Sequence, residues 1–200
     1  MQVVLATWNS HKVEEVTRIL QDAGAGVEVV GLDAFGDLPE APETGDTFAE
    51  NALQKAHFVA IRVGATDHIV VADDSGLVVD ALGGAPGVHS KRFTPEATAE
   101  SNNRRLLAEL DGRTDRSARF VCAMAVVSPQ GERVAEGRCE GHIAAVPRGE
   151  GGFGYDPLFV PEGWGDRTLA EASAAEKNAI SHRGRAFRQL PDLLAALARG

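Results

Sequence analysis

Two hundred residues, 44% of them hydrophobic and 24% charged, are enough for one core or for one core with two lobes in an ordinary globular protein. The formal net charge of −9 argues against a nucleic-acid backbone as partner, since counterion release needs a basic face, but leaves room for a small anion held by a few local cations. Two cysteines without C-x-x-C spacing, histidines without H-x-x-x-H spacing and no apolar run of membrane length lead to the expectation of a cytoplasmic protein with no membrane partner.

Gln2 to Ala6 reads as a strand that feeds Thr7-Trp8-Asn9-Ser10-His11-Lys12. A helix follows, with Val13, Val16, Ile19 and Leu20 on one face and Gly24 and Gly26 at its end. A strand, a polar turn and a helix N-terminus with a lysine have the geometry of an anion site. Free N–H groups and the helix dipole favour phosphate, and Lys12 adds a full charge. The plainer alternative is a Ser10 N-cap beside a surface lysine. Pro39 to Asp46 is a proline- and acid-rich loop, and Thr47 to Glu50 has capping-box spacing at the head of a helix with an apolar face of small residues. Asn51 and Lys55, four apart, share another face, where they either point at one ligand or are simply solvated. The loop supplies metal-ligand candidates, Glu43 first and Glu40 second.

The β-branched run from Ile69 reads as a buried strand that stops at Asp73-Asp74-Ser75-Gly76 before a second apolar run begins. Carboxylates there need a cation or several donors, and Mg²⁺ takes one or two carboxylates beside water and phosphate oxygens. An Asx-type turn closing a hairpin fits equally well. Thr94-Pro95-Glu96 is expected to open a helix, and Phe120 to Val127 reads as a central strand with Glu132 to Glu136 returning beside it. Gly149 to Gly154 matches G-x-G-x-x-G in form only, because the extended pattern of Tyr155 to Val160 follows where a dinucleotide fingerprint requires a helix. What remains is a glycine-rich loop with Phe153 or Tyr155 beside Asp156. It suits a flat heterocycle, or is a tight turn with Phe153 in the core. Ser173 to Glu176 is another capping box, Lys177, His182 and Arg183 gather donors around one helix junction, and the last helix is expected to be interrupted at Pro191.

Six motifs stand in order: Thr7 to Lys12, Thr44 to Ala52, Ala72 to Leu77, Gly83 to Val88, Gly151 to Pro157 and Glu176 to Gly184. In this combination the chain closely resembles the inosine triphosphate pyrophosphatase family over nearly its whole length. The resemblance implies an α/β fold in which an elongated mixed β-sheet is flanked by helices, with two lobes and a central cleft in a single domain spanning 1–200. It implies a Mg²⁺-dependent hydrolase, a cytoplasmic homodimer, that cuts ITP, dITP or XTP between the α- and β-phosphates. Asp74 would take the metal and activate the attacking water, and Ser75 would contact substrate. Thr7, Trp8, Asn9, Ser10, His11 and Lys12 would grip triphosphate and ribose, with Lys12 and Lys55 stabilising the departing pyrophosphate. Phe153, Gly154, Tyr155, Asp156, Lys177, His182 and Arg183 would surround the base. Many relatives have an acidic residue where Pro42 stands, so Glu43 or Glu40 is expected to supply the second metal ligand, and Trp8 is bulkier than the glycine common at its position. The alternatives are a pyrophosphatase of related fold for pyrimidine or modified nucleotides, or a nucleotide-binding sensor without turnover.

Overall fold

The computed structural model describes residues 1–64 and 68–199, and within them a six-stranded sheet has the order β2-β1-β3-β4-β5-β6. The strands are β1 (Gln2–Leu5), β2 (Glu28–Val30), β3 (Ile69–Val79), β4 (Ser117–Ser128), β5 (Gly131–Ile143) and β6 (Phe159–Pro161). β1 runs parallel to both β2 and β3, whereas β6 is antiparallel to β5, so the sheet is mixed as expected. Parallel neighbours need crossovers. α1 (Ser10–Asp22) links β1 to β2, and α2 (Phe48–Val63) precedes β3.

β3 corrects the sequence-based expectation. It runs unbroken through Asp73, Asp74, Ser75 and Gly76, where a stop was expected and a turn was one of two readings. A strand carries carboxylates at its centre when each finds partners there, and both do.

The chain divides into two compact units, one built of 1–74, 122–137 and 183–200 and the other of 75–121 and 138–182. In the first unit, alternation along β3 sends successive side chains to opposite faces. Val71 packs with Val16, Ile19 and Leu20 of α1 and with Phe187, Leu190 and Leu194 of the C-terminal helices α5 (His182–Phe187) and α6 (Leu190–Arg199). Val70 and Ala72 pack with Ala52, Ala56, Val59 and Ala60 of α2, whose small side chains let the helix lie close to the strands. Asn9, not Ser10, caps α1, its Oδ1 accepting from the Lys12 N–H at 3.3 Å. Thr47 caps α2 with the predicted reciprocal box, its hydroxyl 3.1 Å from the Glu50 N–H and Glu50 Oε2 3.0 Å from its own N–H. The interruption expected at Pro191 falls just before it, at 188–189 between α5 and α6. Pro191 itself lies in the first turn of α6, where a missing N–H leaves no bond unmade.

The second unit buries Leu77, Leu106, Leu110, Ile143, Leu158 and Phe159 in its own core. Its helix α3 (Ala99–Glu109) starts at a Thr98 cap rather than at Thr94-Pro95-Glu96. The Thr94 N–H is bound by Asn102 Oδ1 at 2.9 Å, and Ala97 takes a positive φ of 52° between them, so the chain turns before the helix can begin. α4 (Ala174–Ile180) begins at the predicted Ser173 cap.

Tyr155, the one tyrosine of the sequence, is buried in this core and donates its hydroxyl to the Ser90 carbonyl at 2.9 Å. Burial pushes its phenol pKa well above the ordinary value, with Arg105 opposing weakly. Because the folded pKa is the higher one, the contribution to stability is complete below about pH 10 and is lost as the pH rises towards the folded value. Absorbance at 295 nm should therefore show no phenolate in the native protein at pH 10, where denaturant-unfolded protein is about half ionised. A native midpoint equal to the unfolded one would contradict this burial.

Candidate active site

β1 and β3 are parallel, and ligand crevices in such sheets lie outside the carboxyl ends of the strands. The Ala6 N–H bonds to the Val71 carbonyl at 2.8 Å, the last rung before the chain leaves β1 for α1. Asp73 and Asp74 come next along β3, one on each face.

Asp73 continues the α1 face and is buried. Lys12 Nζ lies 2.6 Å from its Oδ1, and Arg183 Nε 3.5 Å and Cys122 Sγ 3.9 Å from its Oδ2. Burial opposes ionisation, but Lys12 and then Arg183 outweigh it and hold the carboxyl well below the usual carboxylate range. Arg183 is itself bound by Glu15 Oε2 at 2.8 Å. Burial works against the guanidinium charge, and Asp73 and Glu15 more than offset it.

Asp74 continues the α2 face. Asn51 Nδ2 donates to its Oδ2 at 3.0 Å, and Lys55 Nζ lies 3.4 Å from its Oδ1, so the two α2 side chains predicted to share a face meet at one carboxylate. Lys55 Nζ also lies 2.5 Å from Glu43 Oε1 and donates to the Asp73 carbonyl at 3.3 Å. Burial lowers the ammonium pKa, and Asp74 followed by Glu43 reverses this to a net rise. The Glu43 loop is tied down through Asn51, whose Oδ1 accepts from the Gly45 N–H at 2.8 Å. A Cβ on Gly45 would stand 2.6 Å from Glu50 Cβ, so the close approach needs glycine.

Glu43 and Asp74 thus direct carboxylate oxygens at one shared cation, the Lys55 ammonium. Two hard oxygen donors at a common cation position are the donor set that Mg²⁺ takes from a protein beside water and phosphate. Among the described residues no group of three or more His, Cys, Asp or Glu could hold a metal. Glu40 and Glu43 are both exposed, and Glu43 is the one whose carboxylate meets Lys55 beside Asp74. Of the turn before α1, Thr7 Oγ1 accepts from the Asn9 N–H at 3.2 Å, Trp8 is 46% exposed, and Ser10 and His11 are exposed.

In the second unit the Phe153 N–H donates to Asp156 Oδ2 at 2.8 Å, and Lys177 Nζ lies 2.5 Å from the same oxygen and 4.3 Å from the centre of the Phe153 ring. Phe153 is 68% exposed while Tyr155 is buried, so Phe153 is the aromatic that the loop presents, and a place for it in the core is ruled out. Gly152 has φ 72° with the Asp156 carboxylate packed where a Cβ would stand. Gly154 is half-buried, and His182 stacks on Phe120 with ring centres 5.0 Å apart. Ser75 is the half-buried first residue of this unit, directly after Asp74. Arg183, expected with Lys177 at the base, is bound by Glu15 and Asp73 in the first unit. Sequence reasoning named Asp73 only as one of a carboxylate pair, without a site role of its own, and passed over Glu15, although strand alternation already set Asp73 and Asp74 on opposite faces.

A family model described as the Ham1 family matches residues 3–193. A "dITP/XTP pyrophosphatase" of Nocardia farcinica is 54% identical over 202 residues, covering 98% of this chain and 96% of its own. Another so named, from Streptomyces avermitilis, is 51% identical over 193 residues, 94% of each chain. The solved structure of a HAM1 protein from Coxiella burnetii superposes with a TM-score of 0.86 at 39% identity, covering 98% of this chain and 99% of that one. The motif resemblance, the mixed sheet and the full-length match agree, and the chain belongs to the Ham1 family.

Proposed function

We propose that this protein hydrolyses deaminated purine nucleoside triphosphates (dITP, ITP and XTP) to the nucleoside monophosphate and pyrophosphate. The observation that carries the reading is the pairing of a carboxylate, Asp74, with the ammonium of Lys55 and the carboxylate of Glu43, on a chain whose relatives are named for this activity. A Mg²⁺ ion held by Asp74 and Glu43 would supply charge neutralisation on the phosphate oxygens.

The chain's own groups do the rest. Asp74 orients a water and takes its proton as the oxygen attacks the α-phosphorus. The bond from that phosphorus to the bridging oxygen breaks, and pyrophosphate departs with the electron pair. Lys12, fixed by Asp73, and Lys55 stabilise the charge that gathers on the leaving group. Thr7 to His11 offer hydroxyl, amide and helix N-terminal donors to triphosphate and ribose, and Ser75 contacts substrate beside Asp74. Base choice belongs to Phe153, Gly154, Tyr155, Asp156, Lys177 and His182. Phe153 gives a stacking face, and Lys177 gives a donor that meets a 6-oxo oxygen but opposes a 6-amino group. Arg183, also expected at the base, is held by Glu15 and Asp73 and acts in this reading through that carboxylate. A cytoplasmic homodimer accompanies the reading, as the family resemblance implies.

A triphosphate panel in Mg²⁺ tests it. The ratio kcat/KM for dITP and XTP should exceed that for dATP by roughly 10⁴-fold or more, the scale reached when a site's hydrogen-bonding groups are left unmet. Turnover of dUTP or dTTP ahead of dITP would favour the pyrimidine alternative, and tight ITP binding without pyrophosphate release would favour the sensor.

A further inference from the structure

Asn103 of α3 lies in the second unit and was not among the residues expected at the site. Its Nδ2 donates to the Gly154 carbonyl at 3.0 Å, while its Oδ1 is buried with no hydrogen-bond partner. The opposite amide orientation would set oxygen against oxygen, so the donor side is committed to Gly154. Phe153 stands between two glycines in the left-handed region, Gly152 at φ 72° and Gly154 at φ 60°, the residue type with the widest backbone freedom.

The rest of the loop is held at separate points. The Gly151 N–H bonds the Ala170 carbonyl at 3.0 Å, the Phe153 N–H bonds Asp156, and the Tyr155 hydroxyl bonds Ser90. The neighbouring Asn102 locks α3 itself, its Oδ1 accepting from the Thr94 N–H and its Nδ2 donating to the Lys91 carbonyl at 3.3 Å. Asn103 therefore reaches Gly154 from a fixed base. The Phe153 side chain is largely exposed and has little packing of its own, so its place over Lys177 is inherited from the backbone on either side.

We propose that Asn103 is a positioning residue for nucleobase discrimination. By holding the Gly154 carbonyl it fixes the Phe153 ring and the Lys177 ammonium as one recognition surface for a 6-oxo purine. This rests on the base-site reading above. A loop released from Asn103 lets the ring and the ammonium drift apart, and a donor that can withdraw no longer opposes a 6-amino group.

Asn103→Leu removes the donor together with the unpaired acceptor, and the Gly154 carbonyl, on a half-buried residue, can turn to water, so the melting temperature should change little. KM for dITP should rise and the dITP-over-dATP ratio of kcat/KM should fall by about tenfold, the worth of one net hydrogen bond, with kcat nearly kept. Asn103→Asp sets a carboxylate against the carbonyl at neutral pH, and protonation on acidification restores a donor. Its base selectivity should therefore recover as the pH falls, while that of the Leu variant does not. Wild-type selectivity in both variants, with selectivity lost in Phe153→Ala, would overturn the role given to Asn103. Wild-type selectivity in Phe153→Ala and Lys177→Ala as well would instead overturn the base-site reading beneath it.

Discussion

Asp74→Asn is expected to lower kcat for dITP by at least about 10³-fold while the protein stays folded, since in the proposed mechanism it removes both the proton acceptor and a metal ligand. The asparagine side chain fills the same space, and Lys55 keeps Glu43 at 2.5 Å as its charge partner. The melting temperature measured in EDTA should therefore move only slightly. A second readout separates the two roles: Mg²⁺ bound at the proposed site should raise the melting temperature of the wild type, and should do so less in this variant. Near-normal turnover would reject the role given to this carboxylate.

Asp73→Ala is expected to do the reverse, acting on stability as strongly as on activity. The carboxylate is buried between Lys12 and Arg183, and its removal leaves two cations without their shared partner. Breaking such a pair costs about 3–5 kcal/mol, a large share of the stability of a domain. Urea denaturation should show the midpoint fall accordingly. Adding Lys12→Met to the variant should recover part of the lost stability without restoring turnover, because the proposed mechanism also needs Lys12 at the phosphates. A variant as stable as the wild type would show that Asp73 does not anchor the two cations.

Much of the fold was legible because local signals agreed. The capping boxes at Thr47 and Ser173, the small-residue face of α2 and the hairpin at Pro129-Gln130 all fall where their residues place them. The errors arose where a distant partner changed the local preference. Asp73 and Asp74 read as the end of a strand because carboxylates are costly inside a sheet. They are tolerated because Lys12 and Lys55 arrive from two helices on opposite faces. Thr94-Pro95 looks like a helix start, yet Asn102 captures the Thr94 N–H and postpones the helix to Thr98. Arg183 is bound by Glu15 across 168 residues, and Asn103 reaches Gly154 across 51, separations at which no periodicity or spacing rule applies. Within the candidate site, residue types and their order were readable, whereas the pairings that orient them were not.

The most direct test of the central claim is product analysis of dITP turnover by the wild-type protein in Mg²⁺. Equimolar dIMP and pyrophosphate, with no dIDP at any time point, is the predicted result. Release of dIDP with orthophosphate would place the attack at the γ-phosphorus and contradict the account.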